Sequence, residues 1–175
     1  MSEPLPDLYA DKSDIVKQLF INTADDNYIL ARISFHANLD VDFFWLAVHC
    51  VEKYLKAALL LNGQEAKSYG HDITALFSSV HTLAPELFPE KMTRPDRMPL
   101  EFWRDETFES FVARLYGEGQ PDNRYQLWGY VRHPEDLWKL DEVVFHVRRV
   151  CQPLDAHFLF MPDDPRFPNE TNRHE

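Results

Sequence analysis

Apolar positions along this chain recur at helical spacing, and nowhere do they alternate long enough to predict a strand. Ile15, Leu19, Phe20, Ala24, Tyr28, Ala31, Ile33 and Phe35 predict a helix over 13–37, capped by Ser13 or Asp14. Asn38 and Asp40 interrupt it, and either side chain can cap the next helix by accepting from free backbone N–H groups. That helix is expected over 41–62. It holds neither Gly nor Pro and stops at Asn62-Gly63, residues suited to a left-handed C-terminal turn. At roughly 100° per residue, Asp42, His49, Glu52, Lys53 and Lys56 fall in one arc with Trp45 in its middle. Phe44, Val48, Val51, Leu55 and Ala58 lie among the apolar residues that cover the rest. Such a helix is central in a bundle, or it also buries a face against a second subunit.

A third helix follows, with Asp72 as its predicted cap and Ile73, Leu76 and Phe77 inward. Pro85, Pro89, Pro95 and Pro99 punctuate an irregular segment. Helical period returns through Leu100, Trp103, Phe108, Phe111, Val112 and Leu115, until Gly117 stops it. Residues 118–133 read as an irregular connection carrying Arg124, Tyr125, Trp128 and Tyr130. Pro134 suits the first turn of a last helix that runs to about Gln152. That helix should bury Leu137, Leu140, Val144, Val147 and Cys151 and leave Arg148 and Arg149 outward. The expected class is all-α, an antiparallel up-and-down bundle of about five helices. It should occupy 13–152, after an N-terminal arm over 1–12 and before a Pro-, Asp- and Asn-rich tail over 153–175 that is expected to be flexible.

Composition narrows the chemistry. A chain of 175 residues suits one domain with one core. No apolar run reaches the roughly 20 residues of a membrane span, and the N-terminus shows no basic and apolar leader. The expectation is a cytoplasmic protein. Cys50 and Cys151 sit far apart in apolar patterns, as buried reduced thiols do. No metal or cofactor is expected. The histidines are dispersed, and no Gly-rich phosphate loop, Gly-x-Ser-x-Gly elbow or His-Glu-x-x-His helix occurs. The formal net charge of −11 argues against coating nucleic acid through overall electrostatics. A phosphate ligand would have to meet a local group of cations.

The stretch "VEKYLKAALLLNG" raises that question directly. Glu52 and Lys56 form an i,i+4 pair in the favourable order, worth about 0.2–0.5 kcal/mol, so a solvated stripe is one reading. In another, Lys53 and Lys56 frame an anion-binding groove with Arg124. An interface is a third. His71, at a helix start, either packs against the preceding helix or meets a phosphate where free N–H groups favour anions. The adjacent Arg132 and His133 are weaker candidates for catalysis. Trp45, Trp138 and Phe145 are candidates for protein interfaces.

"AVHCVEKYLKAALLLNG" followed by "SYGHDITALF" resembles the HEPN domain (higher eukaryotes and prokaryotes nucleotide-binding). The matching positions are Glu52, Lys53, Leu55, Lys56, Ala57, Leu59, Gly63, Gly70, His71 and Asp72, with Ile73 where Leu is usual. "DNRYQ" at 122–126 resembles the Arg-Tyr element late in such domains. The resemblance covers about 13–151. It implies a helical bundle, frequently a homodimer, often working beside a nucleotidyltransferase in a two-component, toxin–antitoxin-like module. Many members are metal-independent ribonucleases with Arg-x(4–6)-His. Here Arg132 and His133 are adjacent, Arg32 and His36 are separated by three residues, and Arg149 and His157 by seven. The family spacing places a base and a phosphate-holding guanidinium around one scissile bond, so that activity is not expected here. The expectation is a binding module for nucleotide or RNA phosphate, lined by Lys53, Lys56, His71, Arg124 and Tyr125. The cations would hold phosphate and the tyrosine would stack a base. The alternatives are a ribonuclease with displaced residues, Arg132 and His133 paired across a dimer, and a structural interaction bundle.

Overall fold

The computed structural model describes residues 12–125 and 131–151, except for the Arg124 side chain. The N-terminal arm before Lys12, Trp128, Tyr130 and the tail over 153–175 lie outside the described residues. Within them are five helical rods and no strand.

The first rod is continuous, as the pattern over 13–37 predicts. It joins α1 (Lys12–Val16), a π-helical turn (Lys17–Ile21) and α2 (Asn22–His36). Its buried apolar residues are Val16, Ala24 and Ala31, and the two alanines let the rod lie close against the next helix. That helix, α3 (Asp40–Leu61), is central: it touches α2, α4, α5 and α6. Phe43, Phe44, Tyr54 and Leu55 fill the core from it.

The start of α3 departs from expectation. Neither Asn38 nor Asp40 caps it; Leu39 occupies that position without a side-chain bond. Asn38 instead takes φ 59°, the left-handed conformation that reverses the chain between rods. Asp40 lies in the first turn and pairs with the Arg132 Nε at 2.7 Å. The far end follows expectation. Gly63 has φ 75°, and the Asn62 amide donates to Ala58 O at 2.8 Å and to Val150 O at 2.9 Å, joining the ends of α3 and the last helix.

Helix α4 (Ile73–Leu83) is capped by Asp72, whose Oδ1 accepts from Thr74 N at 3.0 Å and Ala75 N at 3.1 Å. Helix α5 (Phe108–Glu118) starts later than the apolar pattern predicts. Leu100–Phe102 forms a separate 3-10 turn, Trp103 is extended, and Thr107 caps α5 through Ser110 N at 3.2 Å. The extended stretch carries Trp103 over the Lys139 ammonium, 5.1 Å from the ring centre. Gly117 does not stop α5. The helix runs on to Gly119, where a Cβ would lie 3.0 Å from Phe44 O and 3.1 Å from Val48 Cβ. Only glycine permits that approach to α3.

Helix α6 (Asp136–Val150) buries Leu137, Leu140, Val144 and Val147, and Cys151 is buried just beyond it, as predicted. Arg148 is not outward: its guanidinium binds Asp25 and lies over the Tyr54 ring. Arg149 is exposed and lies 5.6 Å from the Phe145 ring centre. Both thiols are free and buried, and burial pushes their pKa up.

A buried ionic network that the sequence pattern hid joins α5, α6 and the segment before α5. Lys139 and Asp136 are fully buried and Glu135 nearly so. The Lys139 ammonium donates to Glu106 at 2.7 Å. Arg114 grips Glu106 with two bonds of 3.1 Å and Asp136 with one of 2.7 Å. The other Asp136 oxygen accepts from His133 N at 2.8 Å. Removing one member of such a set strands a charge away from water. Lys139→Met is expected to lower stability by about 3 kcal/mol, read as a fall in the urea midpoint at unchanged slope. A midpoint within experimental error of the parent would show that the network contributes nothing net.

Candidate functional site

Helical geometry sets His49, Glu52 and Lys56 on one face of α3, at i−3, i and i+4. The turn after α3 brings a fourth side chain to them. Gly70 adopts φ 57°, and His71 follows it directly before the Asp72 cap of α4. The other three groups converge on the Glu52 carboxylate, although Glu52 is only 6% exposed. Its Oε1 accepts from Lys56 Nζ at 2.6 Å and lies 3.0 Å from His71 Nδ1. Its Oε2 lies 3.8 Å from His49 Nδ1. Trp45 meets the His49 ring edge-to-face, with centroids 4.3 Å apart.

Burial acts to raise the Glu52 pKa. The close approach of His49 and the hydrogen bonds from Lys56 and His71 outweigh it and take the group down to about 2. A carboxylate only accepts, so His71 Nδ1 carries the proton of this bond. In the neutral ring Nε2 is then the acceptor, and the side chain that carries it is 84% exposed. The charged residues in "VEKYLKAALLLNG" are therefore neither a plain solvated stripe nor a bare row of cations. Glu52 is an internal anchor, and Lys56 and His71 are held on it.

The other expected site residues go elsewhere. Lys53 donates to Asn27 Oδ1 at 2.6 Å and to Thr23 O at 3.4 Å, so it ties α3 to α2. The structure does not bring it to Lys56. The Arg124 side chain lies outside the described residues. Tyr125 closes a 3-10 turn (Pro121–Tyr125) that packs on α3, and it is 83% exposed. At the start of α4, where a phosphate was expected to meet free N–H groups, those of Thr74 and Ala75 already serve Asp72. The bond from the Thr74 hydroxyl, then that from Ala75 N–H, holds the Asp72 carboxyl below its usual range.

Arg132 is fully engaged at the turn between α2 and α3. It donates to Phe35 O at 2.5 Å and to Asn38 Oδ1 at 2.6 Å, and its guanidinium stacks 4.2 Å from the Phe35 ring centre. His133 lines an open depression of about 330 Å³ with Phe35, His36, Asn38, Arg132 and Pro134. Of the outward aromatics, Trp45 is half-buried beside His49, while Trp138 and Phe145 are exposed. Among the described residues no group of three or more His, Cys, Asp and Glu is placed to hold a metal ion, and no helix is long and apolar enough to cross a membrane.

Sequence reasoning missed His49 as a partner of Glu52. The i−3 spacing was the available signal. The bond from His71 had no local signal, because it depends on the turn from Gly63 to Gly70.

Residues 18–106, about half the chain, match the family model described as HEPN domain. The matched span takes in α2, α3 and α4, and with them the whole Glu52 cluster. No curated protein and no solved structure matches the chain.

A carboxylate with a lowered folded pKa stabilises the fold fully above its ordinary value, and that contribution is lost as pH falls through the folded value. For Glu52 the window runs from about 4.5 down to about 2. Glu52→Gln is therefore expected to be less stable than the parent near neutrality by on the order of 3 kcal/mol. Urea unfolding at a series of pH values should show the gap closing across that window. A gap that stays constant at every pH would show that the charge on Glu52 is not what its partners stabilise.

Proposed function

The chain belongs to the HEPN domain family, and from that premise we propose that it is a module for binding nucleotide or RNA phosphate groups at the Glu52-centred face of α3. The observation that carries this reading is the convergence of Lys56 and His71 on one buried carboxylate. Each is oriented by a single bond to Glu52, which leaves further ammonium hydrogens on Lys56 and the Nε2 edge of His71 for a ligand. With neutral imidazoles, Lys56 and Glu52 cancel in charge. Tyr125 and Trp45 supply ring faces for a base. The acidic remainder confines phosphate to this face. A nucleotidyltransferase partner in a toxin–antitoxin-like pair belongs to the same reading and is supported by the family alone.

The His71 geometry favours one second reading, a metal-independent ribonuclease. A neutral imidazole with its Nδ1 proton held by a carboxylate offers Nε2 as a base for a 2′-hydroxyl. Lys56 beside it would hold the phosphate. Arg132 and His133 fit that role less well, because Arg132 is bound to Asp40, Asn38 and Phe35.

Titrating the protein into fluorescent ATP and a short labelled RNA, at several salt concentrations, tests both. Binding should weaken with salt. Lys56→Ala and His71→Ala should each lower affinity by about tenfold or more, whereas Lys53→Ala should not. Equal affinity in the parent and in Lys56→Ala would end the proposal. Cleavage of the RNA in the presence of a chelator, lost in His71→Ala, would establish the second reading, and intact RNA would dismiss it.

A further inference from the structure

Between α4 and α5, residues 84–107 form two short 3-10 turns, Pro85–Leu87 and Leu100–Phe102, joined by irregular chain. With no α-helix in the segment, its side chains must hold it to the bundle. Phe88, Met92, Met98 and Trp103 are buried from it. Two positions one turn apart on α6 grip its first half. Glu142 accepts from Thr93 N through both carboxylate oxygens, at 3.0 and 2.9 Å. The His146 ring donates to the backbone carbonyl of Leu87.

The surroundings of His146 suit a neutral ring. Its centroid lies 5.2 Å from that of Phe108, 5.9 Å from that of Phe88 and 5.1 Å from that of Phe145. Nδ1 is buried and has no hydrogen-bond partner, so Nε2 is the nitrogen that serves Leu87. A second proton must go on Nδ1, where it meets no acceptor and leaves a charge among phenyl rings.

The charged groups on the packed elements do not relieve that charge. Arg149, on the next turn of α6, opposes it. On α4, His81 shares the Phe88 ring, with centroids 5.5 Å apart, and its Nδ1 lies 3.8 Å from Glu109 of α5. Glu142 is turned to Thr93, and Glu86 in the 3-10 turn is exposed. Burial, opposed by the Leu87 carbonyl and reinforced by Arg149, holds the His146 pKa below its ordinary value.

We propose that His146 is a proton-operated latch: the neutral ring seats Leu87 and Phe88 on α6, and protonation of Nδ1 releases the first half of the 84–107 segment. The step takes one proton from solvent. The imidazolium keeps its Nε2 proton, but it reaches water only by leaving the rings, and Phe88 loses its seat when it does. In the opened chain the ring takes that proton at its ordinary value of 6.5, whereas the seated ring takes it only at lower pH. The latch is therefore fully effective above 6.5. Between that value and the seated one, each pH unit favours opening by up to about tenfold. None of these residues belongs to the Glu52 cluster, so the latch is independent of the phosphate reading.

Amide hydrogen exchange of the full chain tests this, about one pH unit above and about one below the ordinary histidine value, corrected for intrinsic exchange. The N–H groups of Leu87, Phe88, Met92 and Thr93 are all bonded in the closed form and report its opening. Their protection in the parent should fall at the lower pH by severalfold, up to about tenfold. His146→Phe fills the same seat without titrating, and its protection should not fall. Where Phe fails to seat, His146→Gln supplies a neutral donor for Leu87 and should behave likewise. His81→Gln should still show the parent's fall. An NMR titration of the ring, assigned by its loss in His146→Phe, should give a value below 6.5, with the neutral form protonated on Nε2. Protection in the parent that is equal at both pH values, or that falls equally in the His146 variants, would overturn the proposal. So would a ring titrating at or above its ordinary value, which would show that the phenyl faces hold the cation.

Discussion

A carboxylate removed from water must find donors, and in α3 that requirement shapes the whole candidate site. Glu52 sits in the wall of the central helix with almost no exposure. Burial alone would favour its protonated form. It stays ionised because donors reach it from one turn back, one turn forward and the entrance of the next helix. The first two are secured by helical geometry. The third needs the chain to leave α3 at Gly63, reverse, turn again at Gly70 and enter α4 under the Asp72 cap. The position of His71, and so the character of the site, depends on that path.

The same solution recurs wherever α6 meets its neighbours. Asp141 accepts from the Tyr28 hydroxyl at 2.6 Å and pairs with Arg32. Asp25 on α2 accepts from Tyr54 on α3 and from Arg148 on α6. On the other side, Glu106 and Asp136 hold Arg114 and Lys139. Burial, then the neighbouring carboxylate, pushes the Tyr28 hydroxyl pKa well above its ordinary range. Apolar seams between helices tolerate sliding, but these directional pairs do not, so they fix how the rods stand against each other. Arg32, Arg114, Arg132 and Arg148 each pair with an internal or half-buried acid in this way.

What could be read in the sequence was what is local. The central place of α3 followed from its apolar circumference, the Asn62-Gly63 stop from turn chemistry, and the Asp72 cap from its position before Ile73. The HEPN resemblance was legible because its residues lie in two short runs. The start of α5 was not, because Leu100 and Trp103 continue an apolar period that the backbone abandons until Thr107. The burial of Lys139 was not legible, since charge on a helix carries no sign of a partner some thirty residues earlier. Lys53 and Lys56 shared an arc on the wheel. Three residues still turn a helix by about 300°, which is enough to send Lys53 to α2 while Lys56 faces His71. A common arc is not a common neighbour.

The balance of charge bears on which ligand this face can hold. With neutral imidazoles the Glu52 cluster carries no surplus positive charge, and the chain around it carries a net −11. A long phosphodiester backbone would be repelled along its length by that net negative charge. A single terminal phosphate or a mononucleotide avoids most of that repulsion. On the proposed reading, the charge balance therefore suits a short ligand held at a terminal phosphate better than a polymer tracked along the surface.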